Sequence, residues 1–296
     1  MKIFDCFTYF DEEIILDLRL KTLDKYVDYF VIVESLFNHR GQKRELKFNI
    51  EKFKKFKKKI IYLVHKKVSS KIKAINPRDS LEKKSIDYKK NAYLRESGQR
   101  DFISKGLSKA KENDLIMISD VDEVPNLKNL RLDKIKKKII FFKQDMYYYK
   151  FNLKLPNFKW FGTKACKKKD LVSPQWLRLI KNKKYPFYRV DTLFTQKKYT
   201  SVQFVDKGGW HFTNIKNAKN IKIKLKSYLH HREFDLNPLS TQEINKIIKK
   251  RIAIYNLNVD KRFNKIGNGS KLIKQNINKL PLYLQKNITK YRKWID

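Results

Sequence analysis

The sequence predicts an α/β fold in which a doubly wound, mostly parallel sheet is flanked by helices. In the first 120 residues, short β-prone runs alternate with segments whose apolar residues recur at helical spacing. Several of these runs are apolar without interruption, which is typical of strands that helices cover on both faces of the sheet. From residue 240 onwards only helical patterns remain. We therefore expect one domain over residues 1–235 and a basic, helical C-terminal appendage over residues 236–296.

The elements before residue 120 can be placed in order. Residues 2–9 predict a strand, and Asp11 is placed to cap a helix whose apolar positions Leu16, Leu20 and Leu23 share one face. Strands that are separated by helical segments in this way pair in parallel. The remaining predictions are buried strands over residues 29–33, 59–64 and 114–118 and an amphipathic helix over residues 91–110.

The later part of the chain carries weaker patterns. Residues 138–151 and 176–180 are rich in β-prone residues, whereas the Gly-Gly-Trp-His run over residues 208–211 predicts a loop. Ser240 and Glu243 form a capping-box pattern, which predicts the start of a helix at that point.

The net charge is the most unusual feature of the composition. The 296 residues include 70 Lys and Arg against 30 Asp and Glu, a formal charge of +40, which attracts polyanions. Only 13 of the basic residues are Arg, and scattered Lys offers point charges in place of the planar fork that reads bases. A hydrophobic content of 41% excludes a disordered polycation. The charge therefore favours solubility and weak affinity for anions over specific recognition of nucleic acid.

Cysteine content and hydropathy bear on the compartment. Two cysteines, Cys6 and Cys166, are too few for a disulfide framework, which indicates a reducing environment. Asp5 and the acidic residues 11–13 interrupt the N-terminal apolar run, and no window approaches 18 apolar residues. We expect a cytoplasmic protein that is at most peripheral to a membrane.

Two carboxylates, Asp120 and Asp122, directly follow the most apolar predicted strand. Ligands of open α/β sheets bind at the carboxyl ends of the strands, so these residues are placed at the expected binding edge. Unpaired carboxylates are costly to bury and need a cation. A divalent ion, Mg²⁺ or Mn²⁺, held by one or two carboxylates together with substrate phosphates is the usual arrangement. The sequence therefore predicts a divalent-metal cofactor.

Several segments together resemble glycosyltransferase family 17, which includes β-1,4-mannosyl-glycoprotein N-acetylglucosaminyltransferases. Their order and spacing cover roughly residues 1–235, and the set is specific although each piece alone is not. The segments are residues 3–13 (IFDCFTYFDEE), 27–34 (VDYFVIVE), 39–43 (HRGQK), 99–101 (QRD), 118–125 (ISDVDEVP) and 209–212 (GWHF).

The resemblance implies a GT-A-like fold and transfer of a sugar, expected to be N-acetylglucosamine, with inversion from a UDP-linked donor. It also implies a divalent metal, for which Asp120 and Asp122 are the expected ligands, and His211 would complete the metal shell or bind the diphosphate. Asp122 is the expected direct ligand, and Asp120 would reach the ribose or a metal-bound water. His211 has the alternative role of a structural histidine in the core.

Further residues acquire expected roles at the donor. Glu34 would accept hydrogen bonds from the uracil or ribose, or else be a solvated strand end. Arg100 would contact the diphosphate or uracil, or else be an exposed helix residue, and Trp210 would offer a flat face to a sugar ring. Residues that could close over the donor are His39, Arg40 and Lys43.

Inversion requires a general base on the acceptor side. Glu233 is the first candidate, followed by Asp145 and Glu123, and His230 and His231 could belong to the same side. The aromatic groups at residues 147–149 and 160–162 could form a sugar platform or belong to the core. The expected acceptor is a glycan on a lipid, a polysaccharide or a protein.

The alternative function is a nucleic-acid-binding protein or a metal-dependent nuclease that uses the positive charge. The carboxylate pair argues against it, because it would repel a phosphate backbone unless metals intervened. No further acidic cluster clearly supplies a second metal site. A compatible expectation is that the basic face contacts anionic membrane.

Overall fold

The computed structural model describes residues 1–128, 130, 135–186, 188–192, 195, 197–257 and 266–296. Within these ranges a single sheet of ten strands is flanked by helices, which confirms the predicted α/β class. The strands are β1 (Ile3–Tyr9), β2 (Tyr29–Ser35), β3 (Ile60–His65), β4 (Leu115–Asp120), β5 (Glu123–Pro125), β6 (Ile139–Tyr148), β7 (Leu153–Trp160), β8 (Lys164–Lys167), β9 (Val202–Thr213) and β10 (Ile273–Lys274). The helices are α1 (Glu13–Leu23), α2 (Leu81–Asp101), α3 (Pro174–Leu179), α4 (Ala218–Ser227), α5 (His231–Leu236), α6 (Thr241–Lys249), α7 (Leu282–Lys286) and α8 (Ile288–Tyr291).

The sheet has a parallel half and a mixed half. Strands β3, β2, β1 and β4 are neighbours in that order and pair in parallel. β8 then joins β4 to β6 through antiparallel pairs, and β9 pairs in parallel with β6. Seven of these ten strands run in one direction, so the predicted mostly parallel sheet is confirmed. The chain order reverses on either side of β1, and this switch point is where open α/β sheets bind ligands.

Burial separates the central strands from the edge. The residues of β1, β2 and β4 are almost all buried, because helices cover both faces of the sheet there. Every residue of β3 is only half-buried, because β3 is the last strand of the sheet. The prediction of a fully buried strand over residues 59–64 was therefore wrong in burial, although right in type.

Two predicted elements were wrong in type. Residues 176–180 fall mostly in α3, a helix that Ser173 caps at its N-terminus and that begins with Pro174. Residues 208–211 lie inside β9 and do not form a loop. Gly209 has a φ of +132°, and a Cβ there would lie 2.2 Å from the carbonyl oxygen of Val124. Gly209 therefore lets β5 pass close to β9, whereas Gly208 makes room for the backbone of β6.

The helix predictions were right in type, and their bounds shift. The helix expected over residues 91–110 is α2, which begins ten residues earlier and ends at Asp101. Asp11 does not cap α1, because Glu12 occupies the capping position and the Asp11 carboxylate pairs with Lys216. The capping box at Ser240 is confirmed, with both of its hydrogen bonds formed.

The C-terminal residues pack against the sheet. β10 pairs with β7, and the side chains of Leu280, Leu284 and Tyr291 belong to the same apolar cluster as those of α1. The backbone N–H of Phe151 also donates to the carbonyl of Trp294. Residues 266–296 thus complete the core on one side. Within the part of the chain that the structure describes, none of the helices combines the length and apolar character needed to cross a lipid bilayer.

A buried ion pair links α1 to the end of β4. The Arg19 guanidinium is fully buried, and its Nε and Nη2 donate to the Asp5 carboxylate at 2.8 and 2.5 Å. Nη2 also donates to Ser119 Oγ at 2.6 Å, and Nη1 donates to three backbone carbonyls of residues 120–123 at 2.8 to 3.2 Å. One guanidinium therefore holds the turn that follows β4.

We predict that Arg19→Met lowers the free energy of unfolding by about 3–5 kcal/mol, because it leaves the Asp5 carboxylate buried without its partner. Urea denaturation would measure the loss. The control is Lys52→Met, which removes an exposed ion pair with Glu13 and should cost less than about 1 kcal/mol. An Arg19→Met protein as stable as the control would contradict the structural role of Arg19.

Candidate functional site

A cavity of about 170 Å³ opens at the carboxyl ends of β1, β2 and β4. The cavity lies at the switch point of the sheet, where the parallel strands all end at the same edge. Its wall combines apolar and aromatic side chains with polar side chains that carry both signs of charge. They include Thr8, Glu12, Asn38, His39, Arg44, Glu96, Arg100, Asp120, Asp122 and Lys224.

Asp120 is held by two guanidinium groups. Arg100 Nη2 donates to its Oδ1 at 2.9 Å, and Arg178 Nη2 donates to its Oδ2 at 3.1 Å. Burial opposes ionisation of the Asp120 carboxyl, but the two arginines outweigh burial and lower its pKa. Asp120 is thus ionised, and each of its oxygens already has a cationic partner.

Arg100 ties Asp120 to two helices. It lies on α2, is buried, and donates to Glu96 Oε1 at 2.9 Å and to Gln175 Oε1 of α3 at 2.6 Å. Burial disfavours its charge, yet Glu96 and Asp120 raise its pKa above the ordinary value. The alternative of an exposed helix arginine was therefore wrong. Arg100 does line the cavity, but its hydrogen bonds engage protein groups.

Asp122 is held more loosely than Asp120. Its Oδ1 lies 3.5 Å from His211 Nε2, and its Oδ2 lies 3.4 Å from Lys224 Nζ. Lys224 Nζ is also 3.9 Å from Glu12 Oε1. Burial opposes ionisation, but the Lys224 ammonium and the His211 ring lower the pKa of Asp122 to about 2. The site therefore holds an ionised carboxylate whose two neighbours, Lys224 and His211, stand beyond the distance of a short, charge-assisted hydrogen bond.

Asp122 and His211 are the residues that fit a divalent metal. They offer one carboxylate and one imidazole on the same side of the turn, and the second ring nitrogen, Nδ1 of His211, is buried without a hydrogen-bond partner. No group of three or more His, Cys, Asp or Glu residues that could hold a metal occurs among the described residues. Mg²⁺ and Mn²⁺ commonly complete such small protein sets with substrate phosphates and water, so a metal held here would take its remaining ligands from the substrate and solvent.

The Glu123 carboxylate lies beneath this site and is fully buried. It accepts from the Asp120 backbone N–H at 2.8 Å, from Trp160 Nε1 at 2.7 Å and from both Nη groups of Arg178 at 2.8 and 3.0 Å. A Cβ on Gly162 would lie 2.3 Å from its carboxyl carbon, so glycine makes room for it. Four donors and complete burial indicate a structural carboxylate, in contrast to its prediction as a general base.

Helix α3 brings Arg178 to the site, and the sequence reading missed this residue because it treated the segment as a strand. The signal was present in Ser173-Pro174, a helix cap followed by proline at the first helical position. At the other end of α3, Lys164 Nζ donates to the carbonyls of Arg178 and Ile180 at 2.6 Å each. The sequence reading also missed Lys224, which α4 brings to the cavity.

Glu34 plays a different part from the one predicted. It is fully buried, and its carboxylate is bound by Arg44 at 2.9 Å, by the Tyr62 hydroxyl at 2.9 Å and by the backbone N–H groups of Lys47 and Phe48. It is neither a solvated strand end nor among the described side chains that line the cavity. Glu34 instead anchors Arg44, which does line it.

Trp210 and Asp145 lie on the opposite face of the sheet from His211. Trp210 of β9 pairs with Asp145 of β6, and the next residue of each strand forms the pair of His211 and Met146. Because successive residues of a strand point to opposite faces of the sheet, the first pair lies on one face and the second pair on the other. Trp210 Nε1 donates to the carbonyl of Lys279 at 2.8 Å. Asp145 is engaged by lysines of β7, at 3.0 and 2.6 Å. Neither residue is among the described side chains of the cavity wall, so the structure gives no support to their predicted positions at the donor and acceptor.

The remaining candidates divide between the cavity wall and its surroundings. His39 lines the cavity, and burial lowers its pKa, so it is neutral at pH 7. Glu233 lies on α5, with its Oε1 3.2 Å from His230 and 3.7 Å from Lys89, and is not among the described cavity residues.

Residues 147–149 belong to the core, which is one of the two interpretations that the sequence allowed. Arg40 pairs with Asp235, and His231 is buried beside the same aspartate.

The sequence profile of glycosyltransferase family 17 matches residues 1–295, which extends well beyond the region in which separate motifs are recognisable. No curated protein matches the chain.

We predict that Gly162→Ala lowers the free energy of unfolding by about 1–3 kcal/mol, because the added Cβ displaces the Glu123 carboxylate from a packed site. Urea denaturation would measure the change. The matched control is Gly98→Ala in α2, where the Cβ makes only ordinary contact with His65 and alanine favours the helix by about 1 kcal/mol. Equal effects of the two substitutions would contradict the packing described for Glu123.

Proposed function

Since this chain belongs to glycosyltransferase family 17, we propose that it transfers a sugar from a nucleotide-sugar donor to a glycan acceptor, with the donor diphosphate bound in the cavity beside Asp122. Membership of the family makes the protein a glycosyltransferase. The donor, the sugar, the stereochemistry and the metal are proposals that rest on the residues of the site and on the family resemblance.

The observation that carries the proposal is the ionised, loosely held Asp122 carboxylate at the switch point of the sheet. Departure of a nucleoside diphosphate leaves negative charge on its oxygens, so a donor site must place positive charge there. When bound, a divalent cation supplies this by Lewis-acid stabilisation. Asp122 and His211 are the residues that would hold it. Asp120 would support the turn that carries Asp122 and would not bind the cation itself, because arginines engage both of its carboxylate oxygens.

Lysine and arginine side chains of the cavity support the same role. Lys224 Nζ lies between Asp122 and Glu12, and Arg44 lines the wall nearer β2. A lysine ammonium is a mobile point charge, so Lys224 can turn from Asp122 towards a phosphate oxygen without a change in the backbone. The +40 charge adds attraction over longer distances for an anionic donor.

The finer assignments follow the family resemblance. We propose a UDP-linked donor, N-acetylglucosamine as the sugar and inversion at its anomeric carbon. Glu233 and Asp145 were the first candidates for the general base, and their ion pairs outside the cavity do not support that role. Contact of the basic surface with anionic membrane and a cytoplasmic location stay predictions.

We predict that Asp122→Asn reduces metal-dependent donor turnover by about a hundredfold, because it removes the charged ligand that faces the diphosphate. Mn²⁺ binding, followed by electron paramagnetic resonance, should weaken in parallel. The control is Asp206→Asn, which changes an exposed carboxylate paired with Lys143 and should leave both measurements unchanged. Full turnover by the Asp122→Asn protein would refute the metal assignment.

The donor class can be tested directly. We expect hydrolysis of UDP-N-acetylglucosamine in the presence of Mn²⁺ when UDP-, GDP- and CMP-sugars are compared at equal concentration, with nucleotide release as the measurement. Cleavage of a GDP- or CMP-sugar without cleavage of any UDP-sugar would contradict the proposed nucleotide. Loss of the activity on addition of EDTA, with recovery on excess Mn²⁺, would support the role of the metal.

A further inference from the structure

Trp160 ends β7 beside the candidate site and stands apart from the core. Its indole is half-buried, and it belongs to none of the three apolar clusters that the described residues form. The tyrosines at 147–149 provide a contrast, since their side chains are buried among other apolar groups. A large ring that is partly exposed and outside the apolar clusters presents apolar surface that a ligand can cover.

The orientation of this ring is determined by hydrogen bonding. Trp160 Nε1 donates to Glu123 Oε1 at 2.7 Å, and Glu123 is itself fixed by Arg178 and the Asp120 backbone N–H. Gly162 allows this close approach, because any side chain there would collide with the carboxylate. The indole is therefore held in one position before any ligand arrives, which lowers the entropy cost of binding.

Trp160 is the middle member of a row of three rings. Its centroid lies 5.1 Å from that of His211, with an interplanar angle of 33°, and 6.4 Å from that of Phe158, with an angle of 30°. His211 Nε2 faces Asp122 Oδ1 at 3.5 Å. We call Phe158, Trp160 and His211 the aromatic row. It begins at the sheet edge and ends at the carboxylate of the proposed donor site.

The aromatic row and the cavity lie against different sides of Asp122. Asp122 lines the cavity together with Lys224, whereas His211 and Trp160 lie outside the set of described side chains on its wall. A sugar on the aromatic row would therefore reach Asp122 from outside the cavity, on the side that His211 faces.

We propose that the aromatic row binds a pyranose ring of the glycan acceptor, stacked on the indole of Trp160. A pyranose has an apolar face of C–H groups and a rim of hydroxyls, so it fits a flat aromatic surface that adjoins polar groups. His211 and Asp122 would stand at the rim of that sugar. This inference rests on the proposed function, which it extends from the donor to the acceptor.

The binding test uses the four indole N–H signals of the full-length protein in ¹H–¹⁵N spectra. They are assigned by single Trp→Phe substitutions and followed during titration with the methyl glycosides of glucose, galactose, mannose and N-acetylglucosamine. We expect at least one glycoside to shift the Trp160 signal and to leave the Trp210 signal, on the opposite sheet face, unchanged. No shift of Trp160 with any glycoside, or equal shifts of both signals, would overturn the proposal.

Two variants separate stacking from the hydrogen bond to Glu123. Trp160→Phe keeps a ring but loses the N–H, whereas Trp160→Ala loses both. If the sugar stacks on the ring, the dissociation constant of the glycoside should rise about tenfold or more in the Ala variant and by less in the Phe variant. The dissociation constant is measured from the NMR signals of the glycoside itself. Equal losses in the two variants would overturn the proposal, because they would mean that Trp160 acts only through Glu123. Trp210→Phe serves as the matched control.

Donor hydrolysis distinguishes this proposal from the proposed function. Because Trp160→Phe also removes a hydrogen-bond donor to Glu123, its own rate of donor hydrolysis is the reference: transfer to the bound glycoside should fall by more than hydrolysis does, as a higher KM for that sugar. Hydrolysis and transfer that fall together would overturn the acceptor role. A wild-type protein that binds glycosides at Trp160 but hydrolyses no nucleotide sugar would refute the proposed function and leave the sugar site standing.

Discussion

The buried carboxylate of Glu123 is the group on which the geometry of the site depends. It accepts hydrogen bonds from the turn after β4, from Trp160 at the end of β7 and from Arg178 on α3, so three separate parts of the chain meet at one charge. A buried charge persists only when its hydrogen bonds are complete, because each missing donor leaves an uncompensated desolvation cost. The carboxylate therefore sets the relative positions of the two neighbouring aspartates, the helix and the indole together.

The two aspartates differ because their partners differ. Asp120 makes hydrogen bonds of 2.9 and 3.1 Å to two arginines, and such charge-assisted bonds hold it in place. Asp122 faces Lys224 and His211 at 3.4 and 3.5 Å, distances at which a carboxylate can exchange partners. The second aspartate of the motif is thus suited to a ligand and the first to support of the turn. Counting charges along the chain does not separate them, since both occur in the same short run.

The alternation of side chains along a strand sorts the aromatic residues. Trp210 and His211 are adjacent in sequence but point to opposite faces of β9, so only His211 reaches Asp122. Trp160 comes from a different strand and reaches the same face as His211. The Gly-Gly-Trp-His run predicts a loop in sequence because glycine usually marks turns, whereas here Gly209 permits β5 to approach β9 and Gly208 permits the close approach of β6. The strong positive charge has no comparable structural role, since most of it is scattered lysine.

The sequence by itself determined the α/β class, the strands of the parallel half and the position of Asp120 and Asp122 after β4, because apolar periodicity and the end of a buried strand are local properties. It also determined the capping box at Ser240. Tertiary structure alone decided which charges neutralise one another, since Arg178 lies 58 residues from Asp120 and Lys224 lies 102 residues from Asp122. It likewise decided that Glu34 and Glu123 are structural, because a carboxylate's role depends on donors that the fold brings from distant segments.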